Sequence, residues 1–348
     1  MVLVLRANRF YGPIKHVKNC FQDLDVLDIA FNNFSGQLPI EFFQAPQLRS
    51  LKIGGNKLKG KLPRSLAHCK KLEVLDVGKN MIQDTFPFWL VKLPSLKVLV
   101  LRANRFYGPI KISEDENAFL ELHILDLASN NFSGELPVGF FQSLKAMKMM
   151  IDGKKGKPDY IGDDYYQDSV TIVNKGFELF YQKILTIFAC LDFSNNSFHG
   201  KIPEEIQNLK SLKVLNLSYN SFLGPIPLAL GNLTQLESLD LSQNKLSGKI
   251  PLQLTSLTFL AVLNLSYNQL EGTIPQSYQF GTFSNDSFKG NPRLCGPPLT
   301  KKCNEVGLGM PPPKEDQDSW VDVLNEMGNK WMDRFTWNRN KKWRRSSR

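Results

Sequence analysis

The sequence predicts a solenoid, a stack of near-identical units sharing one continuous core, and three observations predict it. An asparagine recurs at Asn8, Asn32, Asn56, Asn80, Asn104, Asn130, Asn196, Asn220, Asn244 and Asn268; seven of the nine gaps are 24 residues, one is 26 and one is 66. Around these asparagines runs the pattern L-x-x-L-x-L-x-x-N-x-L-x-G-x-I-P. Residues 2–15 recur letter for letter at 98–111, an offset of 96 or four units, as block duplication would leave them.

A fixed period in the range of about 20–29 residues, with this leucine pattern, is the signature of leucine-rich repeats. The predicted fold is therefore an α/β-type solenoid, a right-handed superhelix of 24-residue repeats. Leu239 and Leu241 alternate with Asp240 and Ser242, the period of a strand with one buried face. Leu236 and Leu246 point to the same interior across the turn. Asn244 falls where the strand ends, and its amide can bond backbone groups that the turn leaves unpaired. Gly248 and Ile250-Pro251 bend the chain again. Ten strands about 4.8 Å apart make a parallel sheet about 43 Å along the stack. One such unit cannot bury its leucines, but stacked neighbours can.

In chain order, residues 1–144 hold about six repeats, the first incomplete. Residues 145–186 interrupt the period as an island, since the gap of 66 is one repeat plus 42 residues. Ser169–Val173, then Asn174-Lys175-Gly176, then Phe177–Tyr181 read as a hairpin. Four closing repeats occupy 187–280, and 281–303 form a terminal segment with Cys295 and Cys303. Residues 304–348 are a linker and a basic, Trp-rich tail. In it Trp320, Leu324, Met327, Trp331 and Phe335 make an amphipathic stripe that Ser319 could cap. The tail reads either as a surface helix for anionic lipid or as a disordered extension left where a membrane anchor was lost.

The net charge of +10 is uneven: Arg334, Arg339, Lys341, Lys342, Arg344, Arg345 and Arg348 crowd the tail without an acid, and the rest carries +3. A basic nucleic-acid face on the repeats is not expected. No Cys/His spacing suits a metal, and Cys20, Cys69 and Cys190 read as small buried hydrophobes with free thiols. The glycines of Gly153-Lys154-Lys155-Gly156-Lys157 lack the spacing of a phosphate loop. No nucleophile, metal or cofactor constellation stands out, so the chain is read as a binding protein rather than an enzyme, with no cofactor. Seven sequons, at Asn33, Asn131, Asn195, Asn216, Asn232, Asn264 and Asn285, favour a secreted fold, although N-F-S-G and N-L-S also follow from the repeat itself. No apolar run reaches the length of a membrane span, and none resembles a signal peptide. The chain opens inside a strand, so the expectation is a piece of a longer protein lacking its N-terminal part.

The L-x-G-x-I-P tail, kept at Phe34 to Pro39, Leu58 to Pro63, Phe132 to Pro137, Phe198 to Pro203, Phe222 to Pro227, Leu246 to Pro251 and Leu270 to Pro275, resembles the plant extracellular class of repeats. The stretch from Tyr165 to Ile206 resembles the island and following repeat of plant leucine-rich-repeat receptor-like proteins, of the Cf and elicitor-receptor type. That resemblance implies a cell-surface ligand-recognition ectodomain without a kinase, acting in defence or development through co-receptor kinases. It implies a plasma-membrane location on the extracellular side. It implies a Cys295–Cys303 disulfide, and a peptide, protein or glycan ligand on the concave face. Tyr165, Tyr166 and Phe177 are the ligand candidates in the island, although island aromatics also serve to pack it down. By position, Lys213, Glu237 and Asp240, with Asn216 and Asn264 beside them, are the co-receptor candidates. The alternatives are a soluble repeat protein, such as an inhibitor of a secreted hydrolase, or a non-functional truncated paralogue.

Overall fold

The alternation of Ser238, Leu239 and Asp240 is a strand in which Leu239 is fully buried, with Leu236, Leu241 and Leu246 around it. In the computed structural model, which describes residues 1–14, 23–39, 45–111, 118–149, 158–162, 165–276 and 278–303 (Tyr278 without its side chain), ten such strands form one parallel sheet. They are Val2–Val4, Val26–Asp28, Ser50–Lys52, Val74–Asp76, Val98–Val100, Ile124–Asp126, Ala189–Asp192, Leu212–Asn216, Ser238–Asp240 and Val262–Asn264. The leucines in register behind them make a single core running through every repeat.

The repeated asparagine closes each turn. The Asn244 amide donates to the carbonyls of Leu241 at 3.2 Å, Ser242 at 3.1 Å and Leu217 of the preceding repeat at 3.0 Å. Its Oδ1 accepts the Phe222 amide at 3.0 Å. One side chain thus satisfies four backbone groups, which would be costly to leave unpaired in a core. Asn291 does the same with Leu265, Phe288 and Leu270. It is an eleventh rung, 23 residues after Asn268, that the leucine pattern does not announce.

A second set of short strands runs along the lateral face. It falls into a four-stranded part from Tyr11–Pro13 to Met81–Ile82 and a seven-stranded part from Tyr107–Gly108 to Arg293–Cys295. Inside, phenylalanines stack from repeat to repeat, with Phe106, Phe132, Phe198 and Phe222 at ring separations of 5.9, 6.1 and 6.3 Å.

The helical turn Lys145–Lys148, assigned to the island from the sequence, packs with the solenoid. Met147 is fully buried in the leucine core, and its carbonyl accepts both the Ser211 amide and hydroxyl. The hairpin lies at Val170–Asn174 and Phe177–Tyr181. At the far end Phe280, Phe288 and Leu294 cover the last leucine layer, and Cys295 is bonded to Cys303. Closing this short loop is worth about 2 kcal/mol. Reduction, or Cys303→Ser, is expected to melt the closing repeats several degrees early. An unshifted first transition in scanning calorimetry would count against that. Cys20 and the tail residues Ser319, Trp320, Leu324, Met327, Trp331 and Phe335, with the basic run from Arg334 to Arg348, lie outside the described residues.

Candidate ligand-recognition site

A strand buried on both faces reads as an unbroken apolar run, and Val98-Leu99-Val100-Leu101 is one. The leucines face the repeat core, while the valines face outward, onto the concave side. The island sits on them. Ile161, Val170, Ile172 and Ile184 of the island pack against Val74, Val98, Val100, Ile124, Cys190 and Val214, with Tyr181 and Phe188 at the margin. This second core is separate from the leucine core.

Polar anchors fix the island's position. Asp168 is fully buried and receives the Arg49 guanidinium at 2.9 Å and the Ser50 hydroxyl. Lys52, also fully buried, lies 3.5 Å from Asp168 and 3.4 Å from Asp28. Its ammonium donates to the Tyr166 hydroxyl at 2.6 Å and to Ser169 at 3.2 Å. Burial lifts the Asp168 carboxyl above its ordinary range, against the pull of Lys52, Ser50 and Arg49. Further along, Glu178 pairs with Lys79, and Arg6 lies over the Phe180 ring at 4.6 Å. Lys175 in the hairpin turn reaches Glu237 at 3.8 Å.

Beneath and beside the island runs a row of outward strand residues in register: Asp28, Lys52, Asp76, Val100, Asp126, Asp192, Asn216, Asp240 and Asn264. Most cap the turn that follows, as Asp126 does by accepting the Ala128 amide at 3.0 Å. Burial pushes the Asp126 carboxyl up to about 7; Arg102, 2.8 Å away, pulls it down and neighbouring Asp192 adds to the rise. A carboxyl whose folded-state pKa is raised contributes stability in full below its unfolded value. It loses that contribution as the pH climbs through the folded value. The window here is from about 4, the ordinary aspartate value, to about 7. The protein is therefore expected to melt higher at the acid end of this window, and Asp126→Asn is expected to flatten the slope. A melting temperature rising from acid to neutral pH in wild type, unaltered by Asp126→Asn, would contradict this.

The ligand candidates fall in different settings. Tyr165 is 96% exposed and Phe177 is 71% exposed, whereas Tyr166 is turned to Lys52 and is a packing contact. Among the co-receptor candidates, Lys213 and Glu237 pair at 3.0 Å. Asp240 is half-buried and accepts the Ser242 hydroxyl and the Asn264 amide. Lys175 brings the hairpin turn, two residues from Phe177, to Glu237. Tyr165 lies at the other end, by the strand Ser50–Lys52, six strands or about 29 Å from Ser238–Asp240. Among the sequons, Asn33, Asn131, Asn195, Asn232 and Asn285 are exposed; Asn216 and Asn264 are half-buried and accept bonds from Ser218 and Ser266. Cys69 and Cys190 are buried, and burial raises both thiols, that of Cys69 to about 11. Among the described residues no group of three His, Cys, Asp or Glu could hold a metal ion, and no helix is long and apolar enough to cross a membrane.

The repeat pattern does not single out Asp168, Arg49 and Lys52, which seat the island, or the exposed Tyr219 and Tyr267 beside the uncovered closing strands. Lys52 carried a signal: a lysine stands where Asp28, Asp76, Asp126 and Asp240 stand in other units.

The fold defines a leucine-rich-repeat solenoid with an island seated on its concave face. Leucine rich repeat families match residues 22–82, 46–106, 121–143, 189–209, 211–233, 235–257 and 259–280. Receptor-like protein 43 of Arabidopsis thaliana is 48% identical over 197 residues, 56% of this chain and 27% of that protein. The chain thus spans about a quarter of the length of that relative. The matched repeats make up more than half of the chain, which belongs to the leucine-rich-repeat proteins, and its curated relatives are plant receptor-like proteins. Among solved structures, a plant ice-binding protein matches the fold with a TM-score of 0.67 at 23% identity, over 88% of this chain and 84% of that one. The Arabidopsis receptor kinase HAESA, solved with the peptide hormone IDA and the co-receptor SERK1, matches with a TM-score of 0.58 at 27% identity. That match covers 84% of this chain and 46% of the HAESA chain.

Proposed function

We propose that this chain is a ligand-recognition part of a cell-surface receptor-like protein on the extracellular side of the plasma membrane. It recognises a peptide or protein with the outer face of the island and recruits a co-receptor kinase through its closing repeats. The observation that carries the reading is the island seated on the concave strands. A surface held by its own apolar core and a buried ion cluster is rigid, and preorganisation lowers the cost of binding. Phe177 and Tyr165 supply exposed aromatic anchors of the kind that dominate interfaces. The strand face from Lys213 to Asn264 lies beyond the hairpin turn and beside exposed Tyr219 and Tyr267. HAESA, in complex with a hormone and a co-receptor, has the same fold.

The test uses the SERK1 ectodomain as the probe and the full chain made in a secretory host. Binding is expected, and Glu237→Lys should weaken it about tenfold by placing a like charge beside Lys213. Lys213→Glu combined with Glu237→Lys should restore part of the loss. If wild type does not bind the probe, or if the Glu237→Lys protein binds as well as wild type, the co-receptor reading fails.

A further inference from the structure

Nine repeats place a glycine in the turn of the lateral strand, with φ between +76° and +92°. The repeat around Asn80 reads Ile82-Gln83-Asp84-Thr85-Phe86-Pro87, with Asp84 at that position. A side chain in the left-handed region costs about 1–2 kcal/mol, and Asp84 does not adopt it. The lateral strand is cut to Met81–Ile82, and the sheet divides there. The Arg105 and Tyr107 amides still donate to the carbonyls of Ile82 at 2.8 Å and Asp84 at 3.0 Å, so the core stays closed while the surface opens.

The opening is a groove of about 820 Å³ lined by Lys59, Lys61, Arg64, Arg105, Gln83 and Tyr107 among others. Four cations face it against the single carboxylate of Asp84, which is largely buried. Among the described residues no ion pair engages Lys59, Lys61, Arg64 or Arg105. The groove lies on the lateral face, apart from the island. The exposed sequons Asn131 and Asn195 line the adjoining surface with Gln83, Arg105 and Tyr107, at the opposite end of the groove from Lys59 and Lys61.

We propose that this groove binds an acidic oligosaccharide, a chain of uronate sugars with one carboxylate per ring. Lys59 and Lys61 sit on one rung and Arg105 two rungs on, the rung between them presenting Gln83. Rungs are about 4.8 Å apart, close to the length of a sugar ring, so an extended uronate chain sets every second carboxylate beside a cation. Gln37, Gln83 and Asp84 offer amides and a carboxylate to hydroxyls, and Tyr107, 41% exposed, offers a ring face on which a sugar can lie. A peptide is the poorer fit. The lateral strands here keep two backbone bonds across the break, which leaves no ladder for a main chain to join.

The experiment titrates the full chain with a defined-length oligomer of galacturonic acid, its methyl ester, and an acidic peptide of equal charge. Wild type is expected to bind the free acid and lose it on raising the salt. Lys59→Gln with Lys61→Gln and Arg105→Gln should weaken binding about tenfold or more. Lys201→Gln with Lys245→Gln and Lys249→Gln removes the same charge from exposed positions on the unbroken lateral sheet and should leave binding unchanged. Asp84→Gly keeps every cation and permits the left-handed turn of the other repeats, which is expected to rejoin the lateral sheet and close the groove, so it too should lose binding. It does so without depending on how the triple variant folds. The proposal is overturned if the oligomer does not bind or if the ester or peptide binds equally well. It is equally overturned if the control triple variant weakens binding as much, or if Asp84→Gly binds like wild type.

Discussion

Leu239→Asp is expected to unfold the closing repeats. Leu239 is fully buried, and it pairs in register with Leu215 and Leu263 on the neighbouring strands. Removing a buried leucine costs about 2–5 kcal/mol, and an unpaired carboxylate in its place adds several more. A whole domain is stable by about 5–15 kcal/mol, and in a solenoid the loss falls on the damaged unit and its neighbours. Circular dichroism should show an early transition of partial amplitude. Hydrogen exchange should open the strands from Leu212 to Asn264 while the first repeats stay protected. A melt indistinguishable from wild type would mean that the leucine register is misassigned.

Asp168→Ala is expected to release the island and spare the solenoid. The substitution strips partners from Arg49, Ser50 and Lys52 at once, and Lys52 is itself fully buried. Breaking a buried ion pair from one side costs about 3–5 kcal/mol, because the remaining charge stays desolvated. The apolar seam from Ile161 to Ile184 is then left to hold the segment with the outlying contacts of Glu178 to Lys79, Lys175 to Glu237 and Phe180 to Arg6. Limited proteolysis should cut between residues 158 and 188 at concentrations that leave wild type whole, while the main melting transition moves little. Equal protease resistance in the two proteins would show that the seam suffices and the ion cluster is incidental.

The leucine period places the strands, the core and the turn asparagines because each depends on chemistry local to one unit. Asn244 needs only its own turn and the unit before it. The cap shows where the period stops helping: Asn291 performs the same task without the leucine sequence that precedes the others. The seat of the island is legible only in part. Val98 and Val100 announce a second buried face, yet nothing local says what covers it. The identical valines Val2 and Val4 of the duplicated block are exposed. Asp168 and Lys52 are 116 positions apart and meet through the fold. Tyr166 and Phe177 look alike as island aromatics, and only the packing separates the one turned to Lys52 from the one turned to solvent.

The island's separate seam also bears on how such a protein can change over generations. A surface made of the rungs themselves is altered only by editing, adding or deleting rungs, and each edit touches the lattice that keeps the stack upright. An appendage resting on the rungs through Val170, Ile172 and Asp168 carries its outer residues free of that duty. A substitution at Phe177, which is turned to solvent, alters the island's outer surface and leaves every leucine undisturbed. Novelty and upkeep are thereby assigned to different atoms. A lineage pressed to recognise new molecules can vary the one while inheriting the other intact.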